Sequence, residues 1–284
     1  MALTTPVLHD ILFLEQADSP LSERKCALAR KLGKHTPYFE LVDAQSQAGC
    51  PICRLIYKAT DRYLDSILWE AVLDPEVRAK LKRSHGFCAE HVEMLSNTSG
   101  RALGIALIYR DTIRAIANTA EKGHYVGSAS LVSKLLRKEQ SESGLVKKLS
   151  TDDPCPACVI AHKAESNYLD LLIAHLDDEK LYDAYAQGEG LCLAHFIGAI
   201  ERVEDKESLQ RLIRPQVARY RLMLADLDEF IRKRDHRFRH EKYGKEGDVW
   251  LRAMNAIVGG AGLGLSARTG GRPQIRGTRR SSDI

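Results

Sequence analysis

One pattern of cysteine and histidine residues occurs twice in this chain of 284 residues. The first copy has CPIC at residues 50–53 and GFCAEH at residues 86–91, and the second has CPAC at 155–158 and GLCLAH at 190–195. The cysteine pairs lie 105 residues apart, and the Cys-x-x-His segments lie 104 residues apart. Chance would hardly place two such sets in register, so the pattern indicates a duplicated module. We call these segments CPxC and GΦCxxH, where Φ is an apolar residue.

Three thiolates and one imidazole per copy are the ligands that a tetrahedral, borderline-soft ion prefers, which points to zinc. Four protein ligands fill the tetrahedron and leave no position for a reacting water, so these sites are predicted to be structural. Two zinc ions per chain are expected, although the pattern leaves open an exchange of ligands between the copies. The predicted sites are Cys50, Cys53, Cys88 and His91 in the first copy, and Cys155, Cys158, Cys192 and His195 in the second.

Other uses of these cysteines are possible. An iron–sulfur cluster also accepts thiolates with histidine, and six buried, reduced cysteines would need no metal at all. A CPxC segment at the start of a helix resembles a thiol–disulfide site, but the sequence shows no βαβ pattern around it. Neither pair continues as CxxCH, because Arg54 and Val159 follow, so covalent haem attachment is excluded. No catalytic motif is recognisable, which favours a role other than that of an enzyme without deciding the question.

The sequence is predicted to be helical nearly throughout. Pro51 and Pro156 suit the first position of a helix, and the apolar spacing extends these helices to about Val72 and Leu176. Longer amphipathic helices are expected over residues 103–120 and 216–234, with Pro215 breaking or starting the latter. A last helix is expected over 249–258, and no convincing alternating strand is visible. The fold class is therefore all-α, with two repeated helical modules that are each clamped by a Cys3His metal site.

Composition and charge divide the chain further. The predicted parts are an N-terminal extension (1–36), the first module (37–138), a linker (139–153), the second module with C-terminal helices (154–260) and a disordered Arg/Gly-rich tail (261–284). The chain has 42 basic and 38 acidic residues. The tail contains five arginines and one aspartate, so it carries the whole excess of positive charge. RNA binding through this tail is one possible activity.

No export signal or membrane span is expected, because the longest apolar runs fall far short of the roughly 20 residues that a spanning helix needs. A cytoplasmic location is predicted, where cysteines stay reduced. Asp65 and Asp170 recur between the copies, as do Tyr63 and Tyr168. They are interpreted as helix-surface carboxylates and half-buried aromatic residues.

The duplicated motif, together with RYLD at 62–65 and DEFIRKRD at 228–235, resembles an uncharacterised prokaryotic family known only as a domain of unknown function. The resemblance covers roughly Pro37 to Val258. It implies a helical two-module protein with these eight cysteine and histidine positions, and it implies no established activity. The predicted function is a zinc-stabilised scaffold or interaction protein with a protein partner. The alternatives are a thiol or iron–sulfur redox protein, and RNA binding through the tail.

Overall fold

The structure is a computed structural model, and it describes residues 33–96, 100–122, 142–238 and 240–260. Within these ranges the chain forms α-helices and two short 3-10 helices and contains no strand, which confirms the all-α prediction. The first copy contributes α1 (Thr36–Gln45), α2 (Pro51–Trp69), α3 (Pro75–Arg83), α4 (Ala89–Ser96) and α5 (Ala102–Glu121). The rest of the described chain forms α6 (Glu142–Leu149), α7 (Pro156–Ala174), α8 (Glu179–Gln187), α9 (Leu193–Ile200), α10 (Lys206–Arg234) and α11 (Val249–Val258). None of the described helices is long and apolar enough to cross a membrane.

The centre of the fold is the pair of long helices α2 and α7. Each has 19 residues and begins at the proline of its CPxC segment, where the missing N–H is not needed. Each also ends a few residues before the predicted end. The two helices pack side by side along their length.

Two hydrophobic cores show how this pair is oriented. One core combines the beginning of α2, at Ile52 and Leu55, with the end of α7, at Leu172. The other combines the end of α2, at Leu64 and Ile67, with the beginning of α7 and with α3, α4 and α5. The two helices are therefore antiparallel, and each core draws side chains from both copies of the repeat.

The predicted linker, residues 139–153, contains α6, which packs against α5. The sequence did not indicate this helix. Residues 123–141 of the chain, the tail 261–284 and most of the N-terminal extension lie outside the described ranges. The boundaries of the predicted parts remain predictions.

The expectation that Pro215 breaks or starts a helix is wrong. Pro215 lies inside α10, which begins at Lys206. A proline removes one N–H from the helix and crowds the preceding turn. Here the Tyr185 hydroxyl donates a hydrogen bond to the carbonyl oxygen of Leu212, at 2.9 Å, in that turn. The carbonyl that Pro215 leaves without its N–H donor is that of Arg211, and α10 continues through the proline without a break.

The recurring aspartates each bind an arginine that follows the Cys-x-x-His segment of the same copy. Asp65 on α2 pairs with Arg101, which is almost fully buried. Asp170 on α7 pairs with Arg202, with 2.8 Å between Nε and Oδ1. These carboxylates are about 40% exposed, so the prediction of helix-surface carboxylates is correct. Each also holds the part of the chain that follows the GΦCxxH segment of its copy.

A polar cluster holds α1 against the second copy. Asp178 caps α8 by accepting a hydrogen bond from the N–H of Leu181 at 3.2 Å, and it also accepts one from the Tyr38 hydroxyl. Lys34 Nζ lies 2.6 Å from its other oxygen. Although burial alone would raise the pKa of Asp178, hydrogen bonds from Lys34, Tyr38 and Leu181 lower it to about 2.

Replacing this carboxylate should destabilise the protein. We expect Asp178→Ala to lower the free energy of unfolding by about 3 kcal/mol at neutral pH, because a helix cap and a hydrogen bond to a charged group are both lost. The Lys34 pair adds little, since Lys34 is exposed. The folded pKa lies below the unfolded value of about 3.9, so the contribution is present above that value and is lost as the pH falls towards about 2.

Urea unfolding of both proteins measures this difference. It should be constant from about pH 8 to about pH 5 and should begin to shrink below about pH 4. Asp183→Ala, which changes an exposed carboxylate on α8, is the control and should have little effect. A difference that grows on acidification would contradict this account of Asp178.

Candidate metal centre

All four ligand segments are located at the beginnings of helices. Cys50 and Cys155 are the N-cap residues of α2 and α7, and Cys192 is the N-cap residue of α9. Cys88 directly precedes α4, and its carbonyl oxygen accepts the N–H of Val92 at 2.9 Å. The second ligand of each segment follows three residues later, one turn into the helix. Unpaired backbone N–H groups and the helix dipole favour thiolates at such positions.

The eight predicted residues form two groups of four, but not the two groups that were predicted. Site A consists of Cys50, Cys53, Cys192 and His195, and site B consists of Cys88, His91, Cys155 and Cys158. Each site combines the CPxC segment of one copy with the Cys-x-x-His segment of the other. The predicted pairing within each copy is therefore wrong. The cause is the antiparallel packing of α2 and α7. Each long helix begins in the hydrophobic core to which the other copy contributes most of the side chains.

The distances within each group fit a single tetrahedral ion. In site A, the Nδ1 atom of His195 lies 3.4, 3.3 and 3.1 Å from the sulfurs of Cys50, Cys53 and Cys192. Two of those sulfurs, on Cys53 and Cys192, are 3.8 Å apart. Zinc bond lengths give tetrahedron edges of about 3.8 Å between sulfurs and about 3.6 Å between sulfur and nitrogen. The ligand atoms of site A are therefore arranged around one point.

Site B has the same arrangement. The Nδ1 atom of His91 lies 3.0, 3.7 and 3.5 Å from the sulfurs of Cys88, Cys155 and Cys158. The sulfurs of Cys88 and Cys158 are 3.6 Å apart. In both sites all four ligand atoms lie within 4.8 Å of one another, and all six cysteines are free of disulfide bonds. Both groups could hold a metal ion.

The backbone conformation explains why each GΦCxxH segment begins with glycine. Gly86 and Gly190 have φ angles of 92° and 81°, which side chains rarely adopt. A Cβ atom on Gly190 would lie 2.6 Å from the side chain of Gln216. The amide of Gln216 binds both backbone groups of Leu191, at 2.9 Å each, and so fixes the chain directly before Cys192.

The first copy uses a different side chain for the same purpose. A Cβ atom on Gly86 would lie 2.9 Å from the ring of Tyr109 on α5, and the Tyr109 hydroxyl accepts the N–H of Phe87 at 3.3 Å. In both copies, therefore, a polar side chain on the long helix that follows the GΦCxxH segment fixes the residue directly before the cysteine of that segment. The sequence indicated the glycines, but nothing in it indicated these two partners.

The surroundings of site A include two features that sequence reasoning missed. The Nε2 atom of His195, on the ring edge away from the sulfurs, lies 3.4 Å from a carboxylate oxygen of Glu165 on α7. The backbone N–H of Gly260 points at the sulfur of Cys53, at 3.3 Å. A Cβ atom on Gly259 would lie 3.2 and 3.3 Å from the sulfurs of Cys192 and Cys53. The glycines after α11 thus cover site A.

Site B is more open. Its histidine is buried, but Cys88, Cys155 and Cys158 are all half-buried. In site A only Cys53 is half-buried, and Cys50 and Cys192 are 4% and 1% exposed. At the position of α2 that corresponds to Glu165 in the repeat, the chain has Thr60, which is buried. The two sites therefore share their ligands but differ in their surroundings.

Protonation also distinguishes the sites. In site A, hydrogen bonds from Cys50 and then Cys53 hold the pKa of the Cys192 thiol far below its ordinary value. Burial alone would lower the pKa of His195, but the thiolates of Cys192 and Cys53 raise it to about 10. In site B, burial, assisted by Cys88, raises the pKa of Cys158 to about 12. Metal binding must therefore displace protons at both sites and should weaken as the pH falls.

Comparison with known proteins identifies the family of this chain. A family model described as "Family of unknown function (DUF6062)" matches residues 36–262. The chain belongs to this family. The DUF6062 match begins at the first residue of α1 and includes both sites and the glycines that cover site A. It confirms the resemblance to a domain of unknown function that the sequence suggested over Pro37 to Val258.

One curated relative is an uncharacterized 23.9 kDa protein in the xynA 3' region of Caldicellulosiruptor sp. (strain Rt8B.4). It is 22% identical over 216 residues, which are 74% of this chain and 95% of the relative. No solved structure matches the chain. The DUF6062 relationship therefore defines a family without assigning it an activity.

Proposed function

We propose that this protein is a helical scaffold whose two halves are joined by two structural zinc ions, and that it acts by binding another protein. The observation that supports this most is the composition of the two sites. Each site takes two ligands from one copy of the repeat and two from the other. An ion at either site therefore crosslinks the copies, and the four protein ligands leave no coordination position for a substrate.

The size of the sites favours a single ion over a cluster. An iron–sulfur cluster distributes its protein ligands over two or more irons, whereas each set of ligand atoms here lies within 4.8 Å. Thiol–disulfide chemistry is also disfavoured at site A, because a reactive thiolate must be accessible and Cys50 is only 4% exposed. Reduced thiols in both sites support a cytoplasmic location as part of the proposal.

The described surface supports a protein partner better than an anionic one. On α11, Trp250, Met254 and Ile257 lie on one face and are each about half exposed. By contrast, two of the three basic side chains in the last turn of α10 are paired with acidic ones. Arg232 pairs with Glu229 and Glu241, and Lys233 pairs with Glu246. RNA binding through the tail remains a separate proposal, since residues 261–284 lie outside the described ranges.

Metal content tests the proposal directly. We expect elemental analysis of protein purified from unsupplemented cells to find two zinc ions per chain and no visible absorption. Denaturation with a chelator but without reductant should expose all seven cysteines, whereas native protein should have at most one fast-reacting thiol, on Cys26. Cys26→Ser, which changes the cysteine outside both sites, is the control and should keep both ions.

Two results would contradict the proposal. Folded protein with almost no metal would show that the sites are not structural zinc sites. A count of three thiols that returns to seven with reductant would show that Cys50–Cys53 and Cys155–Cys158 form disulfides. The protein would then belong among redox proteins.

A further inference from the structure

We infer that the two metal sites are unequal, so that site A holds its ion permanently and site B is the exchangeable site. This inference rests on the proposed function, because it assumes that both sites bind metal. Two contacts and one difference in exposure, all described above, distinguish the sites: a carboxylate behind the histidine of site A, a glycine segment over its sulfurs, and the greater exposure of the sulfurs of site B.

The first contact assigns Glu165 as a positioning residue. When Nδ1 of a histidine binds a metal, Nε2 carries the proton and can donate a hydrogen bond to a carboxylate. This hydrogen bond fixes the tautomer and the ring orientation and makes the histidine a stronger ligand. A carboxylate oxygen of Glu165 lies 3.4 Å from Nε2 of His195, which is close enough to take this role. The corresponding residue on α2 is Thr60, so the repeat did not preserve a carboxylate at this position.

The second contact restricts access to site A. The N–H of Gly260 reaches the sulfur of Cys53, and a Cβ atom on Gly259 would lie closer than ordinary van der Waals distance to the sulfurs of Cys53 and Cys192. A backbone N–H that donates to a thiolate stabilises its negative charge. The same segment blocks an incoming ligand from the sulfurs that it covers.

The third observation concerns the path by which a metal leaves. A competing chelator or thiol must contact the ion or replace a sulfur ligand before the ion dissociates. In site B three of the four ligands are half-buried cysteines, whereas in site A only Cys53 is. A free divalent cation or a small chelating thiol can therefore exchange with site B while the ion in site A remains in place.

Release kinetics test this inference. Holoprotein is mixed with an excess of a chromophoric chelator, and metal release is followed by absorbance. We expect two phases of one ion each. Cys158→Ser should abolish the fast phase only. Glu165→Ala should accelerate the slow phase by about 10- to 100-fold, and Glu165→Gln, which keeps an acceptor oxygen, should recover part of the loss. Asp183→Asn, on the exposed surface of α8, should behave as wild type.

A measurement on the wild-type chain tests the inference even if the variants do not fold. Alkylation after the fast phase, followed by mass spectrometry, should modify Cys88, Cys155 and Cys158 and leave Cys50, Cys53 and Cys192 unmodified. Release of both ions at one rate, or alkylation of the site A cysteines first, would overturn the inference. A slow phase that is unchanged in Glu165→Ala would overturn the role of Glu165. A chain that binds no metal would instead contradict the proposed function.

Discussion

A chain that carries both Cys88→Ser and Cys155→Ser should retain one tightly bound zinc ion, whereas a chain that carries both Cys53→Ser and Cys88→Ser should retain none. The first pair of changes removes two ligands from site B and leaves site A intact. The second pair removes one ligand from each site, so neither keeps a complete tetrahedron. The two variants lose the same number of thiols, so the difference reports only which residues share an ion.

Elemental analysis after dialysis against a competing chelator makes this comparison, because sites with incomplete ligand sets lose their ion under these conditions. Cys26→Ser with intact sites provides the reference. Pairing within each copy predicts the reverse outcome, with one ion in the Cys53/Cys88 variant and none in the Cys88/Cys155 variant. That reversal would contradict the arrangement of α2 and α7 as well as the assignment of the sites.

Removal of both ions should destabilise the two halves of the protein together. Structural zinc in small finger peptides contributes on the order of 10 kcal/mol, and less where a hydrophobic core already exists. For two sites in this chain we expect a total loss on the order of 10 kcal/mol, which corresponds to a decrease in Tm of roughly 20 °C or more. Thermal unfolding with and without chelator measures the change.

Hydrogen exchange shows where the loss occurs. In Cys192→Ser we expect faster exchange both in α9 and in the first turns of α2, because Cys50 and Cys53 lose their metal although they belong to the other copy. Helix α4, which contributes to site B, should keep its protection and is the internal control. Faster exchange confined to the second copy would contradict a shared site.

The sequence was sufficient to predict the helices and the eight candidate ligands. Proline at the first helical position identified the starts of α2 and α7, and a repeated Cys3His set identified the ligands. Both are local or periodic features, which a single sequence displays directly. The exceptions among the helices were α6, which the sequence did not indicate, and α10, which contains Pro215 although a proline normally ends or starts a helix.

The pairing of ligands could not be predicted because both arrangements have identical spacing. Only the antiparallel contact between α2 and α7 distinguishes them, and that contact depends on side chains spread over both copies. Glu165 was missed for a related reason. It has no counterpart at Thr60, so the comparison of the copies did not indicate it. Its position beside His195 becomes visible only when α7 and α9 are packed together.

The exchange of ligands between copies has a consequence for the origin of the chain. A half-length ancestor with one CPxC and one GΦCxxH segment would hold half of each site and could complete neither within its own packing arrangement. Two such chains around a twofold axis would complete both sites at once, each lending its CPxC segment to its neighbour. The exchange of ligands seen here is therefore the arrangement that a symmetric homodimer of half-length chains would have. A single chain permits Glu165 in one copy and Thr60 in the other, a difference between the two sites that identical subunits could not have.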